Sequence, residues 1–228
     1  MLDKFKVYPL TYTIIIINVL IYLVSGFLSG DVVDMNMRVL IDMGALNGTL
    51  VVGYHEWWRL FTAMFLHGGM THILMNMFSL YLIGRGMEMY FYPKSYMTVY
   101  LFSGLLGGLA SLYMHPDPNS VGIGASGAIF GVFGALAGFF LAHRDKIAEH
   151  SKAFMKEFGV VLGINLVLGL SIPSIDVSAH IVGLVVGIIG GFVISKDQKW
   201  IWGYSIAMLL CMFIIMQYLP SYYMQVLT

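Results

Sequence analysis

The chain has 228 residues, of which 59% are hydrophobic and 11% charged, and its mean hydropathy is +0.82. A soluble domain carries roughly 25% charged residues, so this chain cannot cover a water-facing surface, and lipid must be its outer solvent. Twelve Lys and Arg balance twelve Asp and Glu, which speaks against a nucleic-acid partner. The single Cys211 excludes an internal disulfide and a cysteine-based metal site.

Lys4 and Lys6 precede an apolar run at 10–28, long enough for a hydrocarbon core of about 30 Å at about 1.5 Å per residue. A cleavable signal has a shorter core and a small-residue cleavage site. Ser25, Gly26 and Phe27 match that site poorly, so the run reads as a first transmembrane helix. Residues 29–67 form a long loop with Trp57, Trp58, Phe61 and Phe65 beside Glu56 and Arg59, a composition suited to the membrane interface. The loop holds one sequon, Asn47-Gly48-Thr49. Further apolar segments follow at 68–90, 95–114, 124–142, 158–172, 178–195 and 201–219, and the segment at 158–172 is short. Segments this apolar must be helices, because lipid offers exposed backbone groups no partners.

Alternating seven helices from a cytosolic N-terminus puts Lys4, Lys6, Arg85, Lys94, Arg144, Lys146, Lys152, Lys156, Lys196 and Lys199 inside. Only Arg38 and Arg59 fall outside, which satisfies the positive-inside rule. The expectation is therefore an all-α multi-pass protein of the cell membrane, N-terminus cytosolic and C-terminus external. It divides into a short tail (1–9), a six-helix core (10–195) and an additional helix with an external tail (196–228).

Polar groups inside hydrocarbon are costly and point to function. They are few: His72, Asn76 and Glu88 in the second segment, Ser126 opening the fourth, Asn165 in the fifth and His180 opening the sixth. Ser126 lies where the Gly-rich stretch Gly122-Ile123-Gly124-Ala125 becomes a helix, beside unpaired N–H donors. Alone it reads as an N-cap. His180 shares a helix face with Gly183, Gly187 and Gly190 or Gly191, and the fourth segment has its own stripe of Gly127, Gly131, Gly134 and Gly138. Two such stripes allow backbone-to-backbone approach, bringing Ser126 and His180 together at one depth, where a neutral imidazole can take the serine proton. His72 and Asn76, four apart on one face, enter at the same depth and are suited to donate to an oxyanion.

These residues resemble the rhomboid intramembrane serine proteases. The match is carried by Trp58-Arg59, His72-Ile73-Leu74-Met75-Asn76, Gly124-Ala125-Ser126-Gly127 and Ala179-His180-Ile181-Val182-Gly183 with Gly187. Gly84 and Glu88 also look like the family's pattern. The resemblance implies a six-helix core with Ser126 as nucleophile and His180 as base, and an oxyanion hole of His72, Asn76 and the Ser126 amide. It implies no cofactor, and substrates that are single-span or multi-span membrane proteins within lipid. The segment 201–219 looks like the additional C-terminal span of part of the family.

Other chemistries fit less well. His55-Glu56-Trp57-Trp58-Arg59 lacks the second histidine of a zinc protease motif. His67 and His72, five apart, would lie about 140° apart on a helix. No pair of mid-membrane Asp residues exists for an aspartyl protease. Asp176, four residues before His180, is a loop residue or a third catalytic member. A non-catalytic scaffold binding client helices would share the bundle without needing Ser126 and His180 together, and a transporter would show an inverted repeat.

Overall fold

The computed structural model describes residues 8–146 and 176–227, with single positions at 156, 159, 160 and 163 between them. Apart from 159, 160 and 163, the expected fifth segment, 158–172, with its Asn165, lies outside the described residues.

Helix α1 (Pro9–Ser29) starts on a proline, whose missing N–H costs nothing in a first turn, and stops at Gly30 in the left-handed conformation (φ 70°). Ile16, Leu20, Leu23 and Phe27 point outward, as lipid contact requires. Its inner face buries Thr11, Ile14, Asn18 and Tyr22. Glu88 explains the start of the helix: its carboxylate oxygens accept the Thr11 N–H at 2.7 Å and the Leu10 N–H at 3.2 Å. A carboxylate on unpaired first-turn donors satisfies them and matches the dipole.

The loop that follows is folded. Helix α2 (Met37–Asp42) is capped by the Asn36 side chain, which accepts the Arg38 N–H. Strand β1 (Leu46–Asn47), a π-turn at Thr49–Gly53, helix α3 (Arg59–Thr62) and a 3-10 turn at Ala63–Phe65 complete it. Arg59 is its hub, buried to 6% exposure. Its guanidinium donates to Glu56 at 2.5 Å and to the Ile41 and Ala45 carbonyls at 2.6 and 3.1 Å, and sits over the Trp58 ring. The sequon residue Asn47 is buried and donates to the Pro118 and Ser120 carbonyls, so its side chain is committed to the fold.

Among the described residues five long helices follow and build the bundle with α1. Helix α4 is Met70–Tyr90 and α5 is Pro93–Met114. After strand β2 (Val121–Gly122), which pairs antiparallel with β1, helix α6 runs Ser126–Ala142. Helix α7 is Val177–Lys196 and α8 is Trp200–Leu227. By length and composition α1, α5, α7 and α8 can each cross a membrane, whereas α6 is shorter. Helix α4 has the length but a less apolar sequence, because it carries His72, Asn76, Arg85 and Glu88. The fold is an all-α multi-pass membrane bundle.

The most extensive helix contact joins α6 and α7, which run parallel. A Cβ on Gly183 would strike the Gly127 carbonyl oxygen, one on Gly187 that of Gly131, and one on Gly191 that of Ala135. From the other side, Cβ atoms on Gly134 and Gly138 would strike the Leu184 and Ile188 carbonyl oxygens. The two stripes therefore meet as expected. Of the two glycines left open by spacing, Gly191 belongs to this seam, whereas Gly190 faces Tyr204 of α8 and Val99 of α5.

The ends of the bundle can be sorted by contact. Helix α1 begins where α4 finishes, at Glu88. Helix α8 finishes beside the end of α5, where the Tyr223 hydroxyl donates to the Leu112 carbonyl at 2.9 Å. That is the end at which α4, α6 and α7 begin, since a single cavity reaches His72, Ser111, Ser126 and His180.

Candidate active site

A cavity of about 790 Å³ opens at the end of the bundle where α4, α6 and α7 begin. Ser126, His180, His72 and Asn76 all line it. Each is brought there by a different local cause.

Ser126 is the first residue of α6, where amide donors have no intrahelical acceptor. The chain reaches it through Gly124, at φ 118°, a left-handed conformation that side chains rarely adopt. A Cβ there would come within 2.7 Å of His72 Nε2 and 3.7 Å of Asn76 Nδ2. Glycine at 124 thus serves twice, turning the backbone and leaving room for two side-chain donors. The Gly124 N–H donates to the Ala63 carbonyl at 2.9 Å, tying this turn to the folded loop.

His72 Nδ1 accepts the Gly68 N–H at 3.5 Å. That contact assigns the proton of the neutral ring to Nε2, the nitrogen directed at Gly124. Because α4 begins only at Met70, His67 lies before the helix, and its ring meets His72 edge-on at 5.0 Å. The 140° separation expected for two residues on one helix therefore does not arise.

His180 is buried in the first turn of α7. Its ring stacks on Phe130, with centroids 4.3 Å apart and planes at 10°. Phe130 is four residues after Ser126, so hydroxyl and aromatic platform share one face of α6. Among the described residues no hydrogen bond joins Ser126 to His180. Catalytic hydrogen bonds commonly tighten only when substrate binds.

Asp176 is the N-cap of α7. Its Oδ1 accepts the Ser178 and Ala179 N–H groups at 3.0 and 3.2 Å and the Ser178 hydroxyl at 2.5 Å. His115 Nε2 stands 3.5 Å from the same oxygen. Burial pushes the carboxyl upward, but hydrogen bonds from Ser111, Ser178 and the Ala179 amide, with His115 nearby, outweigh it and hold the pKa below its ordinary value. The carboxylate is thus occupied in starting the helix that carries His180.

Sequence reasoning missed the Phe130 platform and the capping role of Asp176. The first had a signal, the four-residue spacing from Ser126. The second follows only once α7 is known to begin at Val177. The arrangement offers a hydroxyl, an imidazole and several N–H donors around one space.

Residues 54–197 match the Rhomboid domain family. The chain belongs to the rhomboid family. It is 34% identical over 186 residues to the rhomboid protease GluP of Bacillus subtilis, covering 80% of this chain and 33% of that protein. It is 36% identical over 164 residues to RHOMBOID-like protein 6, mitochondrial, of Arabidopsis thaliana, covering 72% and 52%. YdcA of Bacillus subtilis is 31% identical over 192 residues, 83% of this chain and 88% of its own length. The chain thus spans a third to about a half of the first two relatives. The matched region runs from within the folded loop through α7 and contains Ser126, His180, His72 and Asn76, whereas Val33, Asp34, Met37 and Leu46 of the cavity wall precede it.

Proposed function

We propose that this rhomboid is an intramembrane serine endopeptidase that cleaves other membrane proteins in or near their transmembrane segments. The observation that carries the reading is the convergence of Ser126, His180, His72 and Asn76 on one cavity. In this reading His180 withdraws the Ser126 proton as Oγ attacks the scissile carbonyl carbon. The negative charge moves to the carbonyl oxygen, where His72 Nε2–H, Asn76 Nδ2–H and the Ser126 amide donate to it. Collapse of the tetrahedral intermediate expels the amine, which takes its proton from His180 and leaves an ester on Ser126. Water, deprotonated by the same imidazole, then releases the acid and restores the hydroxyl.

Phe130 supports this assignment, because a stacked ring orients His180 without an acidic partner. The client helix must unwind at the site, since a helical backbone keeps its carbonyls in hydrogen bonds. Small or helix-breaking residues near the cut therefore favour cleavage. The cut falls near the outer face of the client's transmembrane segment, because all four residues sit at one end of the bundle.

The orientation proposed is N-terminus cytosolic and C-terminus external, in the cell membrane. It is supported by the ten-to-two distribution of Lys and Arg across the expected segments. The placement of the start of α1 and the end of α8 at opposite ends of the bundle agrees with it.

The decisive experiment incubates the purified chain with a single-span substrate in detergent. Ser126→Ala and His180→Ala should each abolish cleavage, and the double variant should be no worse than either, because the two act as a unit. Full cleavage by either single variant refutes the dyad. Intact substrate with wild-type protein, together with no labelling of Ser126 by a fluorophosphonate, would favour a non-catalytic scaffold.

A further inference from the structure

Helix α8 looks peripheral: only 11% of its most apolar window is buried. It is nonetheless fastened at one point close to the cavity. Tyr223 is 6% exposed, and its hydroxyl donates to the Leu112 carbonyl in the last turn of α5. That carbonyl is one of the four a helix end leaves without an intrahelical donor, so the phenol fills a vacancy in the α5 terminus. The same ring leaves no room for a side chain at Gly48, since a Cβ there would come within 2.5 Å of the phenol oxygen.

The residue before Leu112 continues the connection. The Ser111 hydroxyl lies near enough to the Asp176 carboxylate to help hold its pKa down, and His115, which ends α5, stands beside that carboxylate too. Asp176 in turn holds the first two amides it can reach in α7, those of Ser178 and Ala179. His180 is the next residue. The α5 and α7 backbones are also in contact here, since a Cβ on Gly107 would stand 2.9 Å from the Ala179 carbonyl oxygen. A contiguous path of hydrogen bonds, polar contacts and helix turns therefore runs from Tyr223 through the end of α5 to the turn that carries the imidazole.

We infer that Tyr223 of the additional C-terminal helix is a positioning residue for His180, acting through the last turn of α5 and the Asp176 cap. This rests on the proteolytic reading for its effect on turnover, though not for the mechanical link. The physical basis is tolerance: general-base geometry is lost over displacements of about an ångström, whereas a helix start held by one carboxylate can shift that far when its support is removed. Tyr223 touches neither substrate nor the reacting atoms.

The test uses the full chain in detergent. Tyr223→Phe removes the hydroxyl and keeps the ring, and Asp176→Asn keeps the shape of the cap and weakens it. Active protein is counted by fluorophosphonate titration of Ser126, so that misfolded molecules drop out. Tyr223→Phe should lower kcat per titrated site by about three- to tenfold, the worth of one buried hydrogen bond. KM for a fluorogenic transmembrane peptide and the melting temperature should stay close to wild type. In an Asp176→Asn background the same change should cost less than about twofold, because the path is already broken. Unchanged kcat per site, or full additivity of the two changes, overturns the inference. Amide hydrogen exchange over residues 176–184 reads the link without catalysis. Tyr223→Phe should speed exchange at Ser178 and Ala179, and unaltered exchange there overturns the inference as well. A wild-type chain that neither labels nor cleaves refutes the proteolytic reading, and exchange then decides the inference alone.

Discussion

The α6–α7 seam and helix α8 solve the same problem, fastening an apolar helix inside lipid, in opposite ways. At the seam, glycines let two backbones touch along about three turns, with no side chain between them. Helix α8 presents Trp202, Leu209, Phe213 and Ile214 to lipid and is held at a few points, among them Tyr204 on the Val186 carbonyl and Tyr223 on that of Leu112. In hydrocarbon, apolar side chains gain little by meeting one another, so close van der Waals packing and hydrogen bonds must do the joining. The seam uses the first and α8 the second. A backbone contact has almost no freedom to adjust, so it is suited to fixing the offset between Ser126 and His180. A tyrosine tether tolerates local change and transmits it.

The sharpest way to break this comparison is Gly187→Leu. The side chain would land on the Gly131 carbonyl, which cannot rotate away. Overpacking costs typically 1–3 kcal/mol when neighbours can yield, so more is expected here. Fluorophosphonate labelling of Ser126 should vanish and the melting temperature should fall. Normal labelling would show that the seam can be spread without cost.

Next in size are the donors beside Gly124. Removing one oxyanion donor typically costs on the order of 10²–10³ in rate. Asn76→Ala and His72→Ala should therefore lower kcat on a transmembrane peptide by up to that much and leave KM nearly unchanged, since such donors act on the intermediate. Full turnover in both would return these residues to a structural role. Phe130→Leu should have a smaller effect. Losing an aromatic stack worth about 0.5–1.5 kcal/mol predicts a fall in kcat per labelled site of up to about tenfold, with Ser126 still reactive. Smallest of all is Leu209→Ala, on a residue 56% exposed toward lipid. Surface changes of this kind stay within about 0.5 kcal/mol, and a larger shift in melting temperature would mean that this face of α8 is covered.

The six long helices among the described residues were legible because each requires a run of apolar residues about as long as the bilayer is thick, a local property of the chain. The seam was legible for a related reason: a stripe of Gly127, Gly131, Gly134 and Gly138 repeats at helical spacing, and a second stripe supplied its partner. Contacts between distant, unpatterned residues were not. Nothing near Glu88 announces that it receives the amides of Leu10 and Thr11, 78 and 77 positions away. Strands β1 and β2 are two residues each, too short for any alternation to register. Spacing alone left Gly190 and Gly191 equivalent, and only the packing separates them, with Gly191 against Ala135 and Gly190 against Tyr204 and Val99. The cavity residues stood out for another reason, the scarcity of polar groups in an apolar chain. That criterion selected Ser126, His180, His72 and Asn76. It could not select Phe130, whose apolar ring gives no contrast with its surroundings.

The bond from Glu88 to α1 has a consequence for how the protein meets bilayers of different thickness. A helix held only by its sides could slide or tilt until its apolar length matched the surrounding hydrocarbon, at a cost of fractions of a kcal/mol per ångström of mismatch. Helix α1 cannot slide, because its first turn is bolted end-on to the last turn of α4. In a thinner or thicker membrane the lipid must deform around α1 instead, and the depth of α1 relative to α4, which carries His72 and Asn76, is preserved.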